Sequence, residues 1–198
     1  MDKKIYLNSF YSASLAVFAP LFIWGNTLSH IPWIFQKLEM NNSSLGYLFM
    51  FFLLVQLVFS QLAGRVIVPN LWSRFSLVIG LIFFSSTPIF FVFSNSINLF
   101  LFAAVPAGIG FGIINTTATA VTSVAENKTN KILQTYYSAF FSMGILLGGL
   151  CSGLYRYLEF NSYILFFILI LFGLISTLFV FNLGLKKHYD EIEKMEKF

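Results

Sequence analysis

The charged residues of this chain are spaced so that long stretches carry none. Uncharged intervals run over residues 5–36, 40–64, 75–125, 132–155 and 160–185, which by subtraction are 32, 25, 51, 24 and 26 residues long. A helix crosses a bilayer with about 20 apolar residues, and a charge at its centre costs about 2.5–3.5 kcal/mol on insertion scales. Four intervals therefore hold one span each, and the 51-residue interval holds two. The division falls where Ser94-Asn95-Ser96-Ile97-Asn98 interrupts the apolar run with turn-forming residues. The pattern predicts an all-α, polytopic membrane protein with six transmembrane helices, at about 8–29, 45–64, 75–93, 98–124, 134–155 and 163–184. These make one transmembrane domain over 1–185, followed by a charged tail over 186–198. Barrel strands are excluded because the apolar runs show no period-two alternation.

Composition agrees with that reading. The chain is 58% hydrophobic and 10% charged, with mean hydropathy +0.80; a soluble domain is about a quarter charged. Twenty charged side chains cannot cover so much apolar surface in water, which excludes soluble enzymes, nucleic-acid modules and disulfide scaffolds. The partners expected are the lipid bilayer and a small-molecule solute, with no nucleic acid. The net charge of +4 reflects loop topology. Lys3, Lys4, Arg65, Arg74, Lys128, Lys131, Lys186, Lys187, Lys194 and Lys197 fall on one side and Lys37 and Arg156 on the other, ten against two. The positive-inside rule then places both termini in the cytoplasm of a multi-pass cell-membrane protein. The single Cys151 allows no internal disulfide.

Polar side chains inside the spans carry the functional signal, because they normally face a bundle interior or a water-filled cavity. Gly108, Gly112, Asn115, Thr119, Thr122 and Glu126 recur at steps of four, three, four, three and four, which is one helical face. The small first half allows close approach to the backbone, and the second half can hydrogen-bond. Asn115 stands out, since a mid-membrane amide without a partner costs several kcal/mol. Gln56 and Ser60 in the second span, Ser9, Ser12, Trp24 and Asn26 in the first, and Gln134, Tyr137, Ser138 and Ser142 in the fifth add hydrogen-bonding capacity. Each of these also fits interhelical bonding. Gly144, Gly148, Gly149 and Gly153 form two overlapping small-xxx-small patterns suited to close helix packing, as are Gly108 and Gly112. No enzyme constellation is present. His30 and His188 lie on opposite sides, no acid pair shares a span and no nucleophile sits near a base, so no catalytic residue, metal site or cofactor is expected.

Three stretches, in order, resemble the N-terminal six-helix half of a Major Facilitator Superfamily transporter, in its bacterial sugar-symporter-like branch. Phe22-Ile-Trp-Gly-Asn-Thr-Leu-Ser-His-Ile-Pro32 with Leu45-Gly46 is similar to the first-span exit and second-span start. Leu62-Ala-Gly-Arg-Val-Ile-Val-Pro-Asn-Leu-Trp-Ser-Arg74 occupies the place of the signature loop after the second span. Gly110-x-Gly112-x-x-Asn115 and the glycine-rich fifth span match the fourth and fifth helices of that branch. The resemblance covers nearly the whole chain.

This chain also departs from the pattern. The signature loop keeps Gly64, Arg65 and Arg74, lacks its aspartate, and is one residue longer than usual. Asn115 stands where the branch often carries an acid, and an amide cannot titrate. The drug-antiporter proline of the fifth span is absent, because Leu150 follows Gly148-Gly149. The resemblance implies a second six-helix half, supplied by a homodimer or a separate chain. It also implies a half-sized, facilitator-type carrier for a small polar, uncharged solute, a sugar or related metabolite. Asn26, Gln56, Asn115, Thr119 and Gln134 are the expected solute-binding residues, and Arg65, Arg74 and Glu126 an expected gating cluster. The alternative is a non-transporting scaffold or a truncated, degenerate transporter fragment.

Overall fold

The computed structural model describes residues 3–184, apart from the side chain of Asn42; the expected tail 186–198 lies outside them. Among the described residues six helices are long and apolar enough to cross a membrane: Lys3–Ser29, Ser43–Asn70, Ser73–Phe93, Ile97–Thr129, Gln134–Tyr157 and Ser162–Leu183. No strand occurs among the described residues. The fold is the all-helical, six-span bundle that the charge spacing predicts.

Helix ends are set by identifiable side chains. Asn41 accepts from the Ser44 amide, Ser96 from Leu99 and Asn161 from Tyr163, each satisfying one of the amides left free at a helix start. Glu39, Asn130 and Glu159 adopt left-handed backbone, with φ of 50°, 55° and 54°, where helices stop. The helices run past the expected ends: the first begins at Lys3, and the second and third carry Arg65 and Arg74. An apolar window detects only the part in hydrocarbon, while the ends continue into the headgroup layer. The second helix continues as a π-turn, Ala63–Ile67, and a last turn, Val68–Asn70.

A further helix, Ile31–Leu38, occupies what reads in sequence as a connecting loop. It is seated by its aromatic and basic side chains. Trp33 packs perpendicular to Tyr163 at 5.3 Å, and Lys37 donates to the Val92 carbonyl at 2.8 Å, satisfying an acceptor at the end of the third span.

The first and fourth spans form the centre. The first packs on the fifth, fourth and sixth; the fourth also packs on the second and third; and the third packs on the sixth. Phe84, Phe91, Phe100 and Phe166 are wholly buried between them. The second and fifth spans are the least covered. In their most apolar stretches 11% and 22% of residues are buried, against 61% in both the first and the fourth.

Candidate solute-facing site

Close backbone contact places the fourth span. A Cβ at Gly108 would lie 2.8 Å from the Phe52 carbonyl oxygen, and one at Gly112 would lie 2.7 Å from that of Gln56. Both glycines therefore lie against the second span with no room for a methyl group. Gly110 meets the third span, its Cβ position 2.5 Å from the Gly80 carbonyl oxygen. Gly80 was not singled out in sequence; a lone glycine in an apolar helix was the available signal.

Beyond those glycines the fourth span opens. Asn115 is half-buried and Thr119 exposed. The Tyr137 hydroxyl of the fifth span donates to Asn115 Oδ1 at 3.3 Å, and Thr119, one turn on, faces the same hydroxyl. On the other flank, Thr116 reaches the Ser60 carbonyl of the second span at a long 3.5 Å. Asn115 and Thr119 thus lie between the two least covered spans. Nearby, Trp24 stacks on Phe52 at 5.0 Å, and Phe111 joins Phe52, Phe84 and Phe141 at 6.2 Å each. An amide, a phenol and a threonine hydroxyl beside aromatic rings can hold an uncharged solute that has both hydrogen-bonding and apolar surface.

The expected fourth-span face is therefore not one lining, although its residues share a helical face. Neighbours change along the helix: Gly108 and Gly112 are packed, Asn115 and Thr119 are open, and Thr122 is fully buried. Glu126 turns aside to cap the fifth span, its Oε2 accepting from the Leu133 and Gln134 amides at 2.8 Å each.

The other expected binding residues are not gathered at Asn115. Asn26 is buried between the first and fifth spans; its Nδ2 donates to its own helix at Phe22 (2.9 Å). Its backbone carbonyl accepts from Ser152 at 3.2 Å, and Ser152 Oγ lies 2.5 Å from His30 Nδ1. This places Asn26 in a buried polar knot with His30 and Ser152, completed by Arg156 donating to the Ser29 carbonyl at 2.9 Å. Burial is the main influence on His30 and holds its pKa below the ordinary value; the Asn26 carbonyl opposes this and the Arg156 charge adds to it. Gln56 is half-buried, with its carbonyl against Gly112, and Gln134 is exposed at the first turn of the fifth span, away from the middle of the bilayer.

The expected gating residues also stand apart. Glu126 is the cap just described, Arg74 lies over the Phe181 ring at 3.5 Å, and Arg65 is exposed on the π-turn. No ion pair joins the three. Capping and stacking have replaced the charge contact that their shared side suggested.

Among the fifth-span glycines, Gly144 and Gly148 lie against the first span, with a Cβ at Gly144 2.8 Å from the Phe18 carbonyl oxygen and one at Gly148 3.1 Å from the Asn26 nitrogen. Gly149 is in ordinary contact, 3.7 Å from Ser29 Oγ, and Gly153 has nothing within 4 Å. Nine residues separate Gly144 from Gly153, which at about 100° each is half a turn out of phase. Gly153 is therefore not a packing residue of this bundle. Among the described residues no group of His, Cys, Asp or Glu could hold a metal ion.

Four spans thus surround a central pair, with polar side chains left open on the flank of the least covered helices. The chain belongs to the Major Facilitator Superfamily, a superfamily of membrane transporters, whose family model matches residues 13–196. It is similar to "Multidrug resistance protein 1" of Bacillus subtilis (strain 168), with 27% identity over 90% of this chain and 45% of that protein. "Multidrug resistance protein 2" of the same organism is 26% identical over 63% of this chain and 31% of its own length. The chain thus spans about half the length of the first of these curated relatives. Neither is named as a sugar carrier, so the comparisons support the superfamily and leave the sugar-symporter-like branch unsupported.

Proposed function

We propose that this chain supplies one half of an alternating-access carrier for a small, uncharged organic solute with hydrogen-bonding and apolar surface. A second six-helix unit, another copy or a separate chain, would cover the second and fifth spans. The supporting observation is the Asn115–Tyr137 pair beside the exposed Thr119, between those spans and next to an aromatic cluster. Amides and hydroxyls left in hydrocarbon are costly, so this face calls for a protein partner and a polar occupant. The aromatic rings widen the solute class beyond the sugars expected from resemblance, and the names of the two relatives fit such widening. In this reading the chain sits in the cell membrane with its basic side, and so both termini, in the cytoplasm. Asn115 and Thr119 bind solute directly, Gln56 and Gln134 line its route, and Asn26 positions the first span against the fifth. Arg65 is the remaining candidate for a gating charge.

Uptake of labelled neutral sugars and of neutral amphipathic dyes into vesicles tests the proposal, using the full chain alone and with any adjacent six-span chain. Asn115→Leu should abolish uptake while leaving expression unchanged, and Tyr137→Phe should reduce it. Failure to move any probe in either arrangement would refute the reading.

A further inference from the structure

A groove of about 630 Å³ opens between the first and fifth spans, where the Lys3 end of one meets the Gln134 end of the other. Leu7, Phe10 and Tyr11 present one wall at helical steps of three and one; Tyr136 and Phe140, one turn apart, present the other. Lys131 stands at its mouth, just ahead of the fifth span. The groove is graded along its length. Six residues separate Gln134 from Phe140, so its apolar end lies about 9 Å deeper than the start of the helix at 1.5 Å per residue. The headgroup layer on each face of a bilayer is roughly 5–8 Å thick. A charge at the mouth and rings about 9 Å below thus match the length over which a phospholipid changes from headgroup to acyl chain.

The charge has one sign. Lys131 lines the groove, Lys3 and Lys4 occupy the first turn of the adjoining helix, and no acid is among the lining residues. Glu126, the nearby carboxylate in sequence, is occupied by the Leu133 and Gln134 amides. Tyr11 and Tyr136, 52% and 63% exposed, add aromatic surface to the two walls. We infer that this groove seats one anionic phospholipid, its phosphate on Lys131 and an acyl chain along Phe10 and Phe140. The inference depends on the membrane placement of the helices and on any second six-helix unit leaving this end of the fifth span open to lipid; it is independent of whether the chain carries any solute.

The full chain, purified in micelles containing equal phosphatidylglycerol and phosphatidylethanolamine, tests it by native mass spectrometry. A basic residue at an anionic lipid surface contributes about fivefold in binding, so phosphatidylglycerol should be retained about fivefold over phosphatidylethanolamine. Lys131→Gln should remove the preference, Lys131→Arg should keep it, and Phe140→Ala should lower retention of both lipids. Lys37→Gln, on the opposite side, should change nothing. Equal retention of the two lipids by the unaltered chain, or an undiminished preference in Lys131→Gln, overturns the proposal. So does lipid entry only after deletion of residues 186–198, which would make the tail the occupant.

Discussion

Gly144→Ala and Gly153→Ala in the fifth span put the packing to a direct test, because the two sites look equivalent in sequence and opposite in space. An ordinary Cβ contact begins at 3.4 Å, and the Cβ at Gly144 would stand 2.8 Å from the Phe18 carbonyl oxygen. The difference, 0.6 Å, is the distance by which the first and fifth spans must separate. The obstructing atom is helix backbone, so no rotamer change relieves it, and overpacking of this kind costs about 1–3 kcal/mol. At Gly153 nothing lies within 4 Å, and alanine there gains up to about 1 kcal/mol of helix propensity. Gly149→Ala, at an ordinary 3.7 Å from Ser29 Oγ, should be close to neutral. Thermal unfolding of the full chain in detergent, followed by tryptophan fluorescence, reads the difference. At about 2–4 °C per kcal/mol for a chain of this size, Gly144→Ala should melt several degrees low, while Gly153→Ala should melt at or above the parent. Equal melting of the two variants, or a loss confined to Gly153→Ala, would show that the first and fifth spans do not meet along the 144–148 edge.

Glu126→Ala removes the acceptor of two 2.8 Å amide bonds at the start of the fifth span and should cost about 1–2 kcal/mol, read as a lower melting temperature. Glu126→Gln keeps one acceptor oxygen and should recover part of the loss, which a purely ionic role would not. Ser152→Ala deprives the buried Asn26 carbonyl and His30 Nδ1 of their hydroxyl and should destabilise by about 1–3 kcal/mol in the same assay. His30, just beyond the first span, has its pKa lowered chiefly by burial, so the unfolded chain binds its proton more readily than the folded one. Its contribution is therefore complete above the ordinary histidine pKa of about 6.5 and is lost as pH falls below it. The melting temperature should drop between about pH 7.5 and 5.5, and His30→Gln should flatten that slope.

The bundle was legible because the membrane imposes a long-wavelength rule: where charge is absent for twenty residues, a helix crosses. The arrangement of the proposed site was legible in part. Asn115 stood out as a mid-span amide, and its neighbourhood with Thr119 follows from helical spacing, while Tyr137 reaches it from the fifth span. Asn26 is buried away from Asn115 because its Nδ2 finds a backbone carbonyl one turn earlier, that of Phe22, while its Oδ1 is buried without a partner. The cluster of Arg65, Arg74 and Glu126 misled because a shared membrane side is not contact. A phenylalanine ring and two helix-start amides were nearer partners for Arg74 and Glu126, and local sequence separation says nothing about the first of these.

The connection between the second and third spans joins sequence and structure most closely. The segment from Leu62 to Arg74 is the one whose resemblance to the signature loop implies an additional residue. In the structure the Val68 amide bonds the Ala63 carbonyl, five residues back, and the π-turn Ala63–Ile67 is the result. A π-turn is what an α-helix becomes when one residue is inserted and the helix on either side keeps its register. The π-turn holds one residue more than an α-turn would, and the connection consists of Leu71 and Trp72 alone between Asn70 and Ser73. That explains why Arg65 is on a helix and exposed while Arg74 begins the next helix and reaches Phe181 of the sixth span. The segment that reads in sequence as a loop is in this chain helix as far as Asn70, with only a two-residue turn before the third span.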